Sequence, residues 1–163
     1  MKSIENYLNI LHFCFYKADS KLHLLFNKVN LLRLLLKIPY IKKRLEKKGI
    51  TDFQKEYDKA FLDKNSGLSM VFAGGILWGI VAVFFFTLLI LFNLIVYAGT
   101  PIIISCSILS GVVCYFFVFR NDMYIQYFDK YEKWSKAEKR KFSWLTFASI
   151  VAVFLLFYLG LKT

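Results

Sequence analysis

Apolar positions fill this chain in long blocks, and between Lys64 and Arg120 one block runs for fifty-five residues, Asn65 to Phe119, without a single Asp, Glu, Lys or Arg. A soluble domain has no need of such a run. A bilayer does, because a charge at its centre costs about 2.5–3.5 kcal/mol on insertion scales. The run is punctuated once, at Tyr97-Ala98-Gly99-Thr100-Pro101, where Gly and Pro interrupt the apolar pattern. About 20 apolar residues cross the hydrocarbon as a helix. Leu68 to Val96 is long enough with tilt and Ile102 to Phe119 is just sufficient, so the run predicts a transmembrane hairpin. Phe142 to Gly160 predicts a third span. The expected fold is an all-α integral membrane protein with three transmembrane helices, a tight hairpin plus one C-terminal span, preceded by N-terminal amphipathic cytoplasmic helices. Its expected divisions are a cytoplasmic or interfacial helical region over 1–66, the hairpin over 67–119, an amphipathic connecting helix over 120–141, and the third span with a short outer tail over 142–163.

Upstream of the hairpin the apolar positions follow helical periods. Tyr7 to Tyr16 carries Asn9 and His12 and is followed by no small-residue cleavage site. It therefore predicts a helix with Ile4, Leu8, Leu11 and Phe15 on one stripe rather than a signal peptide. Over Leu22 to Lys37, His23, Asn27, Asn30, Arg33 and Lys37 share one arc and leucines fill most of the rest. That pattern suits a helix lying in the membrane interface, or one packed on its neighbours. Pro39 disfavours helix at Ile38 and predicts an end or kink there. Lys42, Lys43, Arg44, Lys47 and Lys48 then place five cations in seven residues, a candidate site for acidic lipid headgroups. Thr51 and Gln54 have capping-box spacing, and the helix they start, with Phe53, Tyr57 and Phe61 at four-residue intervals, is expected to stop or bend near Asn65-Ser66-Gly67 and to lead directly into the first span.

Past the hairpin, Tyr124, Tyr127, Phe128, Tyr131 and Trp134 form one helical stripe within a charged block. The stripe predicts an amphipathic helix at headgroup level. Ser135-Lys136-Ala137-Glu138 is a second capping box, expected to open a helix that continues through the third span. Trp134, Trp144 and Tyr158 are candidate interfacial anchors. Trp144 and Tyr158 are fourteen residues apart, about 21 Å along a helix. Three pairs at small-x-x-x-small spacing, Gly75/Gly79, Ser107/Gly111 and Ala148/Ala152, are candidate packing positions, because missing side chains let membrane helices approach closely.

Charge sets the expected sidedness. The net charge is +11, and Lys plus Arg number 14 before the first span, none between the first two, seven between the second and third, and one in the tail. The positive-inside bias then puts the N-terminus in the cytoplasm and the C-terminus outside the cell membrane. The same charge predicts attraction to a bilayer with anionic headgroups. No nucleic-acid module accompanies it, so no nucleic-acid partner is expected.

Candidate chemistry is sparse. Cys14, Cys106 and Cys114 form no C-x-x-C pair, and no metal or cofactor is expected. His12 and His23 have no acidic partner close in sequence, and no hydrolase, P-loop or dinucleotide motif occurs. The three spans contain no Asp, Glu, His, Lys or Arg, which argues against a proton or ion carrier. No catalytic residue is assigned. The expectation is a small non-enzymatic inner- or plasma-membrane protein that packs its helices against a membrane protein partner, as an immunity or accessory subunit does. The alternative is a self-assembling, membrane-permeabilising effector of a defence or lysis system, acting as a homo-oligomer.

Overall fold

The computed structural model describes residues 2–29, 38–47, 53–92, 94 and 99–162, and among these it is helical throughout, with no strand. In chain order the helices are α1 (Lys2–Val29), α2 (Pro39–Glu46), α3 (Phe53–Leu62), α4 (Leu68–Leu91), α5 (Thr100–Cys114), α6 (Met123–Glu132) and α7 (Lys136–Gly160). A π-helical turn, Tyr115–Phe119, and a 3₁₀ turn, Arg120–Asp122, join α5 to α6. Three helical stretches are long and apolar enough to cross a membrane: α4, the continuous run from Thr100 to Glu132, and α7.

The chain divides into two compact units, one made of residues 1–15 and 73–163 and the other of residues 16–72. The first half of α1 therefore belongs with the apolar helices rather than with the N-terminal region as the sequence pattern suggests. Leu8, Leu11 and Phe15 of the expected stripe are buried, while Ile4 is exposed. Two polar side chains, Asn9 and His12, are buried as completely as any leucine. No separate helix begins at Leu22: α1 runs unbroken to Val29, because nothing between Lys17 and Leu22 is a Gly or Pro that would stop it. The rest of the Leu22–Lys37 amphipathic pattern lies outside the described residues.

In the second unit Ile38 is non-helical and Pro39 opens α2, the first-turn position where a missing N–H costs nothing. The Thr51–Gln54 capping box lies outside what is described. The expected stop near Asn65-Ser66-Gly67 is present: α3 ends at Leu62 and α4 begins at Leu68. Asp63 turns the chain between them, its carboxylate accepting from the Asn65 amide at 3.0 Å and the Ser66 hydroxyl at 2.9 Å. These hydrogen bonds hold its carboxyl below the usual carboxylate range. Gly67 closes the turn, its N–H donating to the Asp63 carbonyl at 2.9 Å.

In the first unit α4 and α5 are locked by two reciprocal hydrogen bonds. The Trp78 indole N–H donates to the Ser107 carbonyl at 2.8 Å, and the Ser110 hydroxyl donates to the Trp78 carbonyl at 2.6 Å. Thr100 and Pro101 start α5 after Gly99. The expected capping box of α7 is formed: Ser135 Oγ accepts from the Glu138 amide at 3.2 Å and the Ser135 amide donates to Glu138 Oε2 at 2.8 Å. Gly160, at the far end of α7, lies where an added Cβ would stand 3.0 Å from Ile90 Cγ2, so its missing side chain is what allows α7 to close on α4.

Candidate functional site

The densest set of buried polar and aromatic groups lies where the first half of α1 meets the segment from the π-turn to α7. The sequence places Tyr124, Phe128 and Tyr131 on one face of α6, and all three are buried. Their cover is α1 and not an open surface. Phe128 meets Phe13 edge-on at 5.3 Å between ring centroids and Tyr124 at 5.7 Å. His12 sits among Phe119 at 5.4 Å, Tyr124 at 5.6 Å and Phe128 at 5.1 Å. Gly74 of α4 leaves room for this group, since a Cβ there would come within 3.0 Å of Phe119 Cζ.

Hydrogen bonds fix the register of the two helices. The Tyr127 hydroxyl donates to Glu5 Oε1 at 2.8 Å, the Tyr131 hydroxyl to Asn6 Oδ1 at 2.9 Å, and the Tyr7 hydroxyl to Ser149 of α7. A helix end leaves its last carbonyls without intrahelical donors, and Asn9 supplies one. Its Nδ2 donates to the Phe117 carbonyl in the π-turn at 2.8 Å, and to the Glu5 carbonyl one turn back at 2.8 Å. Beyond the π-turn Asn121 and Asp122 both take left-handed dihedrals, with φ of 53°. These two residue types tolerate that region best after glycine. Burial pushes the Cys14 thiol of α1 above its ordinary value, making it a poor nucleophile near neutral pH.

Asn9→Ala is expected to remove about 1–3 kcal/mol of stability, the cost of leaving a buried acceptor unmet. Thermal denaturation of the detergent-solubilised protein, followed by near-ultraviolet circular dichroism, checks this; an unchanged midpoint would mean that water reaches the Phe117 carbonyl.

In the second unit His23 acquires the acidic partner that its neighbours in sequence do not offer. Its Nε2 stands 3.2 Å from Asp58 Oδ1, its ring stacks on Phe61 at 4.1 Å, and Tyr57 lies 5.3 Å away. Tyr57 and Phe61 are the aromatic pair that the four-residue spacing placed on one face of α3, and Asp58 adjoins the first of them. Of the basic cluster, Lys43, Arg44 and Lys47 are exposed on or beside α2; the side chains of Lys42 and Lys48 lie outside the described residues.

The candidate packing positions fare differently from one another. Ser107 and Gly111 make room for Trp78, whose indole nitrogen would be 3.6 Å from a Cβ on Gly111. Gly75 and Gly79 have nothing within 4 Å of where a Cβ would stand, and both are exposed. Ala148 and Ala152 are exposed as well. Trp144 and Tyr158 are exposed at opposite ends of the apolar part of α7, whereas Trp134 is half-buried and stacks on Phe142 at 4.2 Å. Among the described residues no group of three or more His, Cys, Asp or Glu is placed to hold a metal ion.

No family model, curated protein or solved structure matches this chain. What the geometry itself offers is a rigid clasp. It pins the first half of α1 to the connection between two apolar helices, and among the described residues part of the apolar surface has no neighbour.

Proposed function

We propose that this chain is a multi-pass protein of the cell membrane, without enzymatic activity of its own, that works by packing against a membrane protein partner in the manner of an accessory or immunity subunit. The observation that carries the reading is the open face of α4. Gly75 and Gly79 lie one turn apart with nothing within 4 Å of either missing side chain, in a helix long and apolar enough to cross a membrane. Within lipid, a bare backbone strip of this kind favours a second helix, because close backbone approach supplies the dispersion energy that lipid tails cannot. The basic residues before α4 and between α5 and α7 support a cytoplasmic N-terminus and an outer C-terminus. The clasp around Phe128 supports a scaffold, since Tyr127 and Tyr131 of α6 are hydrogen-bonded to Glu5 and Asn6 of α1.

Gly75→Ile combined with Gly79→Ile tests the proposal, since among the described residues nothing lies within 4 Å of a Cβ at either position. The expected result is that a stoichiometric membrane companion, cross-linked to the wild type and identified by mass spectrometry, is lost from the variant while α-helical content and thermal midpoint hold. Undiminished association in the double variant would overturn it. If the companion is further copies of this chain and expression alone collapses the membrane potential, the permeabilising effector replaces the accessory subunit.

A further inference from the structure

α7 carries a feature that the clasp and the α4 face do not use. Arg140, Ser143, Trp144 and Phe147 recur at helical spacing and line one open cleft of about 370 Å³. Trp144 is 66% exposed and meets the edge of Phe147 at 6.0 Å, so the two rings form an apolar wall. The Ser143 hydroxyl is turned back onto the Lys139 carbonyl at 2.8 Å. The lining of the cleft is almost entirely apolar, so Arg140 borders it with its aliphatic stem; its guanidinium is exposed beside the cleft and, among the described residues, has no carboxylate partner.

The surroundings are one-sided. From Lys133 to Lys141 there are five cations and a single carboxylate, Glu138. That carboxylate is held by Ser135, and the Lys139 ammonium is held by the Glu132 carbonyl at 2.7 Å. Lys133, Lys136, Arg140 and Lys141 are left exposed. Beyond Lys141 the helix carries no charge through Gly160, so Arg140 falls where a membrane surface would lie. Phe147 falls about 10 Å deeper at the helical rise. A cation at the surface, an indole just below it and an apolar wall beneath that match a phospholipid's phosphate, glycerol region and upper acyl chain in order of depth.

We propose that this cleft is a binding site for one acidic phospholipid, its phosphate on Arg140 and an acyl chain along Trp144 and Phe147. The site rests on the membrane reading above, adds a defined lipid to it, and is separate from the basic cluster beside α2.

The test uses the full chain in phosphatidylcholine vesicles containing either dibrominated phosphatidylglycerol or dibrominated phosphatidylcholine. The fluorescence of Trp144 is taken as the difference between wild type and Trp144→Phe. The acidic brominated lipid is expected to be enriched at Trp144 by about fivefold over the zwitterionic one, the factor that one basic residue is worth at a membrane surface. Arg140→Gln should abolish that excess and Lys141→Gln, which removes the same charge one residue outside the cleft, should leave most of it. Equal quenching by the two lipids overturns the site while leaving insertion intact. So does an equal loss in both variants, which would assign the effect to diffuse surface charge. Absence of quenching by either lipid overturns the site together with the membrane reading.

Discussion

Phe128→Ala is expected to cost about 3–5 kcal/mol, the range for truncating a fully buried aromatic side chain, and to do so by releasing α1. Phe128 has no exposed surface and touches Phe13 and His12 of α1 and Tyr124 of its own helix. Its loss removes three ring contacts at once and leaves a void that the hydrogen-bonded neighbours Tyr127 and Tyr131 are not free to fill. Glu5, Asp129 and Lys130 lie close in sequence to the ring cluster, and where water reaches the opened apolar area the full transfer cost applies. The measurement is the thermal midpoint in detergent, together with hydrogen exchange of the α1 amides. Those from Asn6 to Phe15 should lose protection first, and Phe128→Leu should retain much more of it. A midpoint unchanged in Phe128→Ala would mean that the α6 stripe faces lipid tails, where a truncated ring exchanges one apolar neighbour for another and little is lost.

The sequence pattern places that stripe at headgroup level without saying what covers it. A helical stripe of Tyr124, Tyr127, Phe128, Tyr131 and Trp134 requires an apolar cover, but periodicity identifies a face and never its occupant. The occupant here is a helix more than a hundred residues earlier, and its contribution includes Asn9 and His12, which read from sequence as interruptions of an apolar segment. Asn9 belongs inside because the turn after α5 leaves the Phe117 carbonyl in need of a donor, a need that exists only once the π-turn exists. The pairing of His23 with Asp58, thirty-five residues away, is hidden for the same reason. Local signals transferred well. The second capping box is formed, Pro39 opens a helix, and three helices are long and apolar enough to span a bilayer. Small-x-x-x-small spacing was the least informative. Of the three candidate pairs, Ser107 and Gly111 receive a neighbour and Gly75 and Gly79 receive none among the described residues, while the tight approach of α7 is made at Gly160, which belongs to no pair. Spacing records that backbones could approach; burial decides where they do.

Gly67→Ala is the second large effect, and it follows from the turn that Asn65-Ser66-Gly67 predicts between α3 and α4. A Cβ at this position would stand 2.3 Å from the Asp63 carbonyl oxygen, 2.6 Å from that of Phe61 and 2.7 Å from the Asp63 nitrogen. All three are backbone atoms, so no side-chain rotation relieves the contact. The same Asp63 carbonyl accepts the Gly67 amide at 2.9 Å, and Met70 and Val71 begin α4 by donating to the Gly67 carbonyl. Relieving the overlap therefore breaks the turn's closing hydrogen bond and disturbs the first turn of the helix behind it. Over-packing of this kind costs about 1–3 kcal/mol, and with rigid atoms on every side the upper end is expected. The loss should appear as faster hydrogen exchange from Asn65 to Val71 and easier proteolysis between α3 and α4. Ser66→Ala, which removes one hydrogen bond to Asp63 and adds no atoms, should show little of either. If Gly67→Ala and Ser66→Ala behaved alike, the turn would be held by the Asp63 carboxylate rather than by the absence of a side chain at Gly67.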